Sequence, residues 1–449
     1  MTIEAGGLPE TDRKVFDWLD THLGHVLSFT PHPRWRTGWD AEVERDGVTT
    51  SLHIRGPRGD NYMSPVDMRQ EAAIHGAYLA NGIPAPRVLG VIDDPYSLVL
   101  ERIPGRINSE TADAHDRRKV REDFIAIIAR LHQLPVEAFA ETGLPIPHTP
   151  DEIGRNLYAQ AQAIFDERIG RPWPLMRFIA GWLRRNVPQD RTRAAFINCD
   201  AGQFLFDGDR VTGLIDFELS CYGDPAAELA GLRLRDSSEP LGPLSELYDH
   251  YERLTGDRIT KRLIEYHTAG FCGVNGFMLW PLMFGSTPEQ DYVAYMQFAV
   301  ATARWSIKAI AEHIGMTLAE PPEPGAQSLG FDQAGLHLVR QIGLLPAADA
   351  ATTYARDSAA ALALYQQRWL TYGRAVHAAD LADAEALLGR IVVDRDAEVE
   401  AFVLAAGAEE DARLVQYFHN WLRRQDFLLT GCGPSSYNVG LDLQPIAER

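Results

Sequence analysis

The stretch from Phe196 to Leu229, FINCDAGQFLFDGDRVTGLIDFELSCYGDPAAEL, decides how the rest of the chain is read. Its middle reads as a β-hairpin. Phe204-Leu205-Phe206 and Val211 to Ile215 are short apolar runs, and Asp207-Gly208-Asp209-Arg210 between them is a turn cluster. With Phe206 opposite Val211, Ala201 falls roughly opposite Asp216, and Asp200 sits close to Asp216 at the strand ends. Two carboxylates held side by side on rigid strand ends repel each other unless a cation or a proton lies between them. That arrangement suits a hard metal ion and a phosphate. The competing reading is that Asp200 caps a turn and Asp216 is a strand end at the surface.

Asn198-Cys199-Asp200, Gln203, Ile215-Asp216-Phe217-Glu218 and Gly223-Asp224-Pro225 stand in a fixed order. The set resembles the catalytic core of aminoglycoside phosphotransferase and choline kinase-like small-molecule phosphotransferases, relatives of protein kinases. Their pattern is His-Gly-Asp, a few residues, Asn, a hairpin to Ile-Asp-Trp/Phe-Glu, then Gly-Asp-Pro. The resemblance implies Asp200 as the catalytic residue, Gln203 and Asp216 as Mg²⁺ ligands, and Asp224 as an acid holding the catalytic loop in shape. Two departures stand out. Asn198 occupies the usual His position, and the loop after Asp200 is short, with Gln203 in place of Asn. An ungapped register would put Asn198 at the catalytic place, whereas the gapped one keeps a carboxylate there. Gln has the acceptor oxygen of Asn on a side chain one methylene longer, which helps span a shortened loop.

Composition sets the outer limits. A chain of 449 residues holds two or three domains, each able to bury a core. The net charge of −19 argues against nucleic acid or an anionic membrane as partner. The four cysteines (Cys199, Cys221, Cys272, Cys432) have neither zinc spacing nor a disulfide framework. The first residues, MTIEAGGLPETD, lack the basic and apolar regions of a signal peptide, and no apolar run approaches bilayer length, so a cytoplasmic protein is expected.

Along the chain, Val15, Phe16, Leu19 and Leu23 at helical spacing predict a helix over 10–23. Trp39 to Val43 and Ser51 to Arg55 alternate as strands about the hairpin signal Asp46-Gly47. Only Gly38 lies where the family has a glycine loop. By resemblance, Arg55 is the strand cation that reaches the ATP phosphates, and Glu71, on the helix opened by Met68, aims it. Arg69 and His53 have no assignment. Ser97 to Gly105 resembles the strand and hinge between lobes, which implies that the backbone of Glu101, Arg102 and Ile103 meets the adenine. A helix over 117–134 ends near His132, read as structural, and two more fill 151–187.

After the central stretch a helix starts at Glu228. Arg233 and Arg235 on it face either an anionic substrate or a half-buried interface. Residues 248–315 read as helical with an aromatic core. Ala319 to Ser328 is a Pro-rich linker, and 358–372, 381–392, 396–405 and 409–429 read as helices, with Gly431 to Pro434 irregular and exposed.

The expected fold is α+β and bilobal, protein kinase-like: an N-lobe over 1–104 with a small antiparallel sheet, a mainly helical C-lobe over 105–318, and a linker with a helical domain over 319–449. The expected function is ATP- and Mg²⁺-dependent transfer of the γ-phosphoryl group to a hydroxyl of a small molecule. A nucleotide-binding regulator without turnover is the alternative, and a kinase for hydroxyacyl-CoA or another catabolic hydroxyl compound is the narrower enzyme reading. A homodimer through the C-terminal helices, a lid or a packing domain are the roles open to the last segment.

Overall fold

Local chemistry builds the first layer. Asp46 and Gly47 both have positive φ, 55° and 76°, in the tight turn of a two-residue hairpin. The computed structural model describes residues 7–32, 36–58, 63–200, 202–288, 290–327, 330, 332–433 and 441–449. Helix α1 (Glu10–His22) leads into β1 (His25–His32), β2 (Gly38–Arg45) and β3 (Val48–Arg55), then α2 (Met68–Ala80), β4 (Val88–Asp93) and β5 (Tyr96–Glu101). The five strands form one antiparallel sheet in the order β1-β2-β3-β5-β4. Val15, Phe16 and Leu19 of α1 share a core with Trp39, Leu52, Ile54 and Val99 of the sheet. Strand β1 has no expected counterpart: its proline and histidines interrupt the alternation that marks β2 and β3. Asp67 caps α2 in a capping box with Gln70, and Asn81 with Gly82 (φ 70°) ends it.

The remainder is mostly helical. Helices α3 (Ala114–Gln133), α4 (Pro150–Arg168) and α5 (Pro174–Arg185) precede β6 (Ala195–Ile197), β7 (Phe204–Asp207), β8 (Arg210–Leu214) and β9 (Cys221–Gly223). Then come α6 (Pro225–Asp236), α7 (Leu244–Thr255), α8 (Lys261–Phe284) and α9 (Tyr292–His313). Strand β6 pairs with β9 and β7 with β8. Phe206 is opposite Val211 as expected, but a bulge beside it pairs Leu205 with Gly213 and Phe204 with Leu214. That extra residue moves the register by one, so Asp216 no longer comes opposite Ala201, which itself lies outside the described residues. Helix α6 begins three residues before Glu228, because Asp224 caps it and Pro225 fits the first turn.

Beyond the linker lie α10 (Asp332–Gly343), α11 (Ala350–Leu388), α12 (Arg395–Ala405) and α13 (Asp411–Leu429). The two helices expected over 358–372 and 381–392 are one 39-residue helix, α11, which ends before Val392. Gly373 does not break it, because the missing Cβ is the space that Trp369 fills, 2.6 Å from where a Cβ would stand. Residues of α11, α12 and α13 share a core with α4, α5, α8 and α9; Trp173 meets Trp421 edge-on at 5.6 Å and Phe178 stacks on Phe418 at 5.4 Å. The linker is docked: Gln416 bonds both the N–H and C=O of Ala319, and Gln327 N–H donates to Thr371 C=O. Ser328 and Pro434 lie outside the described residues. Cys432 is buried rather than exposed, and Leu443 of the final segment is buried too. Among the described residues, no helix is long and apolar enough to cross a membrane.

Candidate active site

The site forms where the β7–β8 hairpin meets the sheet of the first lobe. Past the end of β8, Ile215 N–H donates to Gln203 C=O at 3.0 Å, continuing the ladder by one step. Asp216 then turns at φ 65°, an unusual conformation for a residue with a side chain. In the turn between β6 and β7, Cys199 has φ 64°, and Asp200 N–H donates to Asn198 C=O at 2.8 Å. Gly202 follows at φ 80°, where a Cβ would stand 2.6 Å from Arg235 Cγ. Glycine there lets Arg235 pass across the loop to Asp200.

Gln203 joins the two acids. Its Nε2 lies 3.3 Å from Asp200 Oδ2 and 3.3 Å from Asp216 Oδ2. Arg235 Nη2 donates to Asp200 Oδ1 at 3.0 Å, and Arg55 Nη2 pairs with Asp216 Oδ1. Arg55 also meets Glu71 Oε1 at 3.2 Å through Nε and Glu218 Oε2 at 3.2 Å. Arg36 and Arg58 add to Glu218, the latter at 2.5 Å. Asp200, Arg55, Glu71, Gln203 and Asp216 therefore form one contiguous network.

The two acids sit in opposite fields. Burial raises the pKa of Asp200, and Asp216 raises it further, while Arg235 and Gln203 offset part of this. Burial would also raise Asp216, but Arg55, Arg36 and Arg58 more than reverse it, so its pKa falls below the ordinary carboxylate value. Glu71 is raised, chiefly by burial, against the pull of Arg55. Both acids open onto a cleft of about 340 Å³.

The hinge is partly committed. Glu101 N–H donates to Arg87 C=O and Arg102 N–H to Ser51 C=O. Of the three hinge amides, Ile103 N–H alone lacks a backbone partner among the described residues. Arg102 reaches toward Asp40 at 3.5 Å.

Neighbouring polar residues hold this loop rather than face the cleft. Asn198 is buried, its Oδ1 accepting from Ser220 Oγ at 3.0 Å and its N–H donating to Glu228 Oε2 at 2.8 Å. His132 lies between the same Glu228 oxygen and Tyr251, each at 2.9 Å. Asp224 caps α6, accepts from Nε and Nη2 of Arg191 and meets His267 at 3.2 Å. Arg233 is fully buried on Glu312 and does not face the cleft. Sequence reasoning missed Arg36, Arg58 and the partnership of Arg235 with Asp200. The cue for Arg235 was its place on the helix that follows the Gly223-Asp224-Pro225 run.

Residues 38–260 match the phosphotransferase enzyme family. No curated protein matches the chain. Among solved structures, the macrolide 2′-phosphotransferase apoenzyme from Brachybacterium faecium is 18% identical, covering 64% of this chain and 97% of that one, with a TM-score of 0.43. An ethanolamine kinase from Plasmodium vivax is 13% identical over 66% of this chain and 94% of its own, with a TM-score of 0.45. A choline/ethanolamine kinase family protein from Mesorhizobium loti is 16% identical over 66% and 92%, also with a TM-score of 0.45. With strands β2 to β5 of the sheet and the β7–β8 hairpin inside the matched span, the chain belongs, through residues 38–260, to the phosphotransferase enzyme family.

Proposed function

We propose that this chain is a small-molecule kinase that moves the γ-phosphoryl group of ATP to a hydroxyl group. The observation that carries the reading is the pair of carboxylates bridged by Gln203, with pKa values pushed apart at the wall of one cleft. Environments that separate two acids in this way assign them different work. Asp216, held ionised, suits a metal ligand. Asp200, held up by burial, suits a group that accepts or orients the hydroxyl proton.

The donor set fits Mg²⁺. Asp216 offers carboxylate oxygens, and Gln203 has an amide oxygen on the group that now bridges the acids. Mg²⁺ needs few protein ligands, because substrate phosphates and water complete its shell. When bound, Mg²⁺ would neutralise phosphate charge. Arg55, aimed by Glu71, holds phosphate oxygens through a guanidinium that cannot lose its proton. Asp200 takes the proton as the hydroxyl oxygen bonds to the γ-phosphorus and the bond to the β–γ bridging oxygen breaks, releasing ADP. Such a transfer needs positioning and charge neutralisation more than a strong base.

Nothing at Asn198 favours the regulator without turnover, since its side chain is spent on Ser220 and leaves the cleft to Asp200. Calorimetry with Mg·ATP tests the reading. Asp216→Asn should bind at least about ten-fold more weakly than the wild type, the scale of one charge-assisted contact. Equal affinities would contradict it.

A further inference from the structure

Helix α8 is buried at every position from 263 to 283 except Asn275. Asn275 opens instead onto the cleft that holds Asp200 and Asp216. Its side-chain amide has no hydrogen-bond partner among the described residues. On a helix otherwise packed against protein over 263–283, this half-buried amide faces the cleft, where a ligand that closes over it must supply the hydrogen bond that water otherwise makes. One turn to either side, Phe271 and Met278 line the same wall, and Ala294 and Phe298 of α9 face it at helical spacing.

The charged residues that line the cleft are Arg58, Asp200, Asp216, Glu218, Arg235 and Glu239, none of them from α8 or α9. The four carboxylates, Asp200, Asp216, Glu218 and Glu239, already meet Arg235, Arg55, Arg36 and Arg58. The Asn275 wall carries no acid. An acceptor with several ammonium groups would therefore bury charge against Phe271, Met278 and Phe298 without a counter-ion, which is strongly unfavourable.

Building on the kinase reading, we infer that the acceptor is a hydroxyl compound with an uncharged, largely apolar body, whose polar group hydrogen-bonds to Asn275. The apolar body lies along α8 and α9, and the hydroxyl reaches Asp200. Asn275 acts here as a specificity residue rather than a catalytic one.

The test compares three probes with Mg·ATP: 3-hydroxyoctanamide, ethanolamine and a deoxystreptamine amino sugar. The hydroxy amide should have a kcat/KM at least ten-fold above both ammonium compounds. Asn275→Leu should raise its KM at least ten-fold, far more than it lowers kcat, and Asn275→Asp should move the preference toward ethanolamine. Ala294→Trp, which fills the cleft from α9 without altering α8, should also raise the KM and covers the case in which an α8 variant fails to fold. A higher kcat/KM for either ammonium compound, or an unchanged KM in Asn275→Leu and Ala294→Trp, overturns the inference. So does a wild type that binds and slowly hydrolyses Mg·ATP yet leaves the amide untouched, a result that spares the kinase reading. A wild type that does not bind Mg·ATP at all overturns both.

Discussion

In the family pattern that this stretch resembles, an Asn on a longer loop stands where Gln203 does, and Gln203 Nε2 lies 3.3 Å from an oxygen of each acid. If the added methylene, one C–C bond of ~1.5 Å, makes up the loop's lost reach, then Gln203→Asn should raise the Mg²⁺ concentration for half-maximal activity by roughly three- to ten-fold. Gln203→Ala should raise it further. Superimposable Mg²⁺ titrations of the three proteins at saturating ATP would mean that Gln203 is not a ligand. Arg55 makes a second case, because it pairs with Glu71, Asp216 and Glu218 at once. Arg55→Ala should weaken Mg·ATP binding by about ten- to a hundred-fold, the range for charge-assisted hydrogen bonds, and lower kcat. Glu71→Ala should do less, since Asp216 and Glu218 still aim the guanidinium; equal ATP affinity in wild type and Arg55→Ala would contradict the assignment. The Arg55–Glu71 pair was legible because β3 and α2 are neighbours in sequence and their order is a motif. Arg36 was not, because it meets Glu218 across 182 residues and no local spacing encodes that meeting.

At the scale of elements, the apolar runs and the turn cluster announced the β7–β8 hairpin, but alternation alone cannot show a bulge, so the register was one residue out. Likewise Gly373 reads as a break in sequence, whereas packing against Trp369 keeps α11 continuous. Helix α2 is joined to the hairpin through His75, whose ring lies 4.4 Å from that of Phe217 and whose Nδ1–H donates to Pro86 C=O. Burial, with a smaller push from Arg55, lowers the His75 pKa to about 4. The folded ring is neutral where the unfolded ring, near pH 6.5, takes up a proton, so its contribution is present above pH 6.5 and lost as pH falls toward 4. Between pH 7 and pH 5 that loss is about 2 kcal/mol. Glu265, which burial raises to about 7, pulls the other way, so the wild type alone does not isolate the effect. Urea unfolding of wild type and His75→Leu at both pH values does. The stability gap between them should change in favour of the variant by about 2 kcal/mol on going to pH 5, and a constant gap would contradict the linkage.

Across the whole molecule, the chain returns to its own active-site helix. Gln444 C=O accepts from Arg233 Nε at 2.7 Å, and its side chain bonds Asp236 Oδ2 at 3.0 Å and Leu244 N–H at 2.9 Å. These contacts hold the end of α6 that carries Arg235, and Leu443 is buried beside them. Nothing in the local sequence of residues 441–449 foretold this, because the signal lies in contacts some 200 residues away. Removing 441–449 should cost about 3 kcal/mol from one buried leucine and its hydrogen bonds, lowering the thermal midpoint by roughly 3–6 °C. An unchanged midpoint would mean that the tail rests on the surface without holding it. The lobes, the hairpin and the linker were legible because each has local punctuation, whereas the shared core of the C-terminal helices was not, because burial on a common face is a long-range property. The claim that unites these scales is that Asp200, presented by the hairpin and steadied by Arg235 and Gln203, handles the hydroxyl during phosphoryl transfer. Its most direct test is acceptor-dependent ADP formation by Asp200→Asn, measured beside its affinity for Mg·ATP, with an acceptor found by screening alcohols against labelled ATP. Turnover should fall by about 10²- to 10⁴-fold, the range for losing a positioned proton acceptor, while the Kd for Mg·ATP changes little; turnover at the wild-type rate would contradict the account.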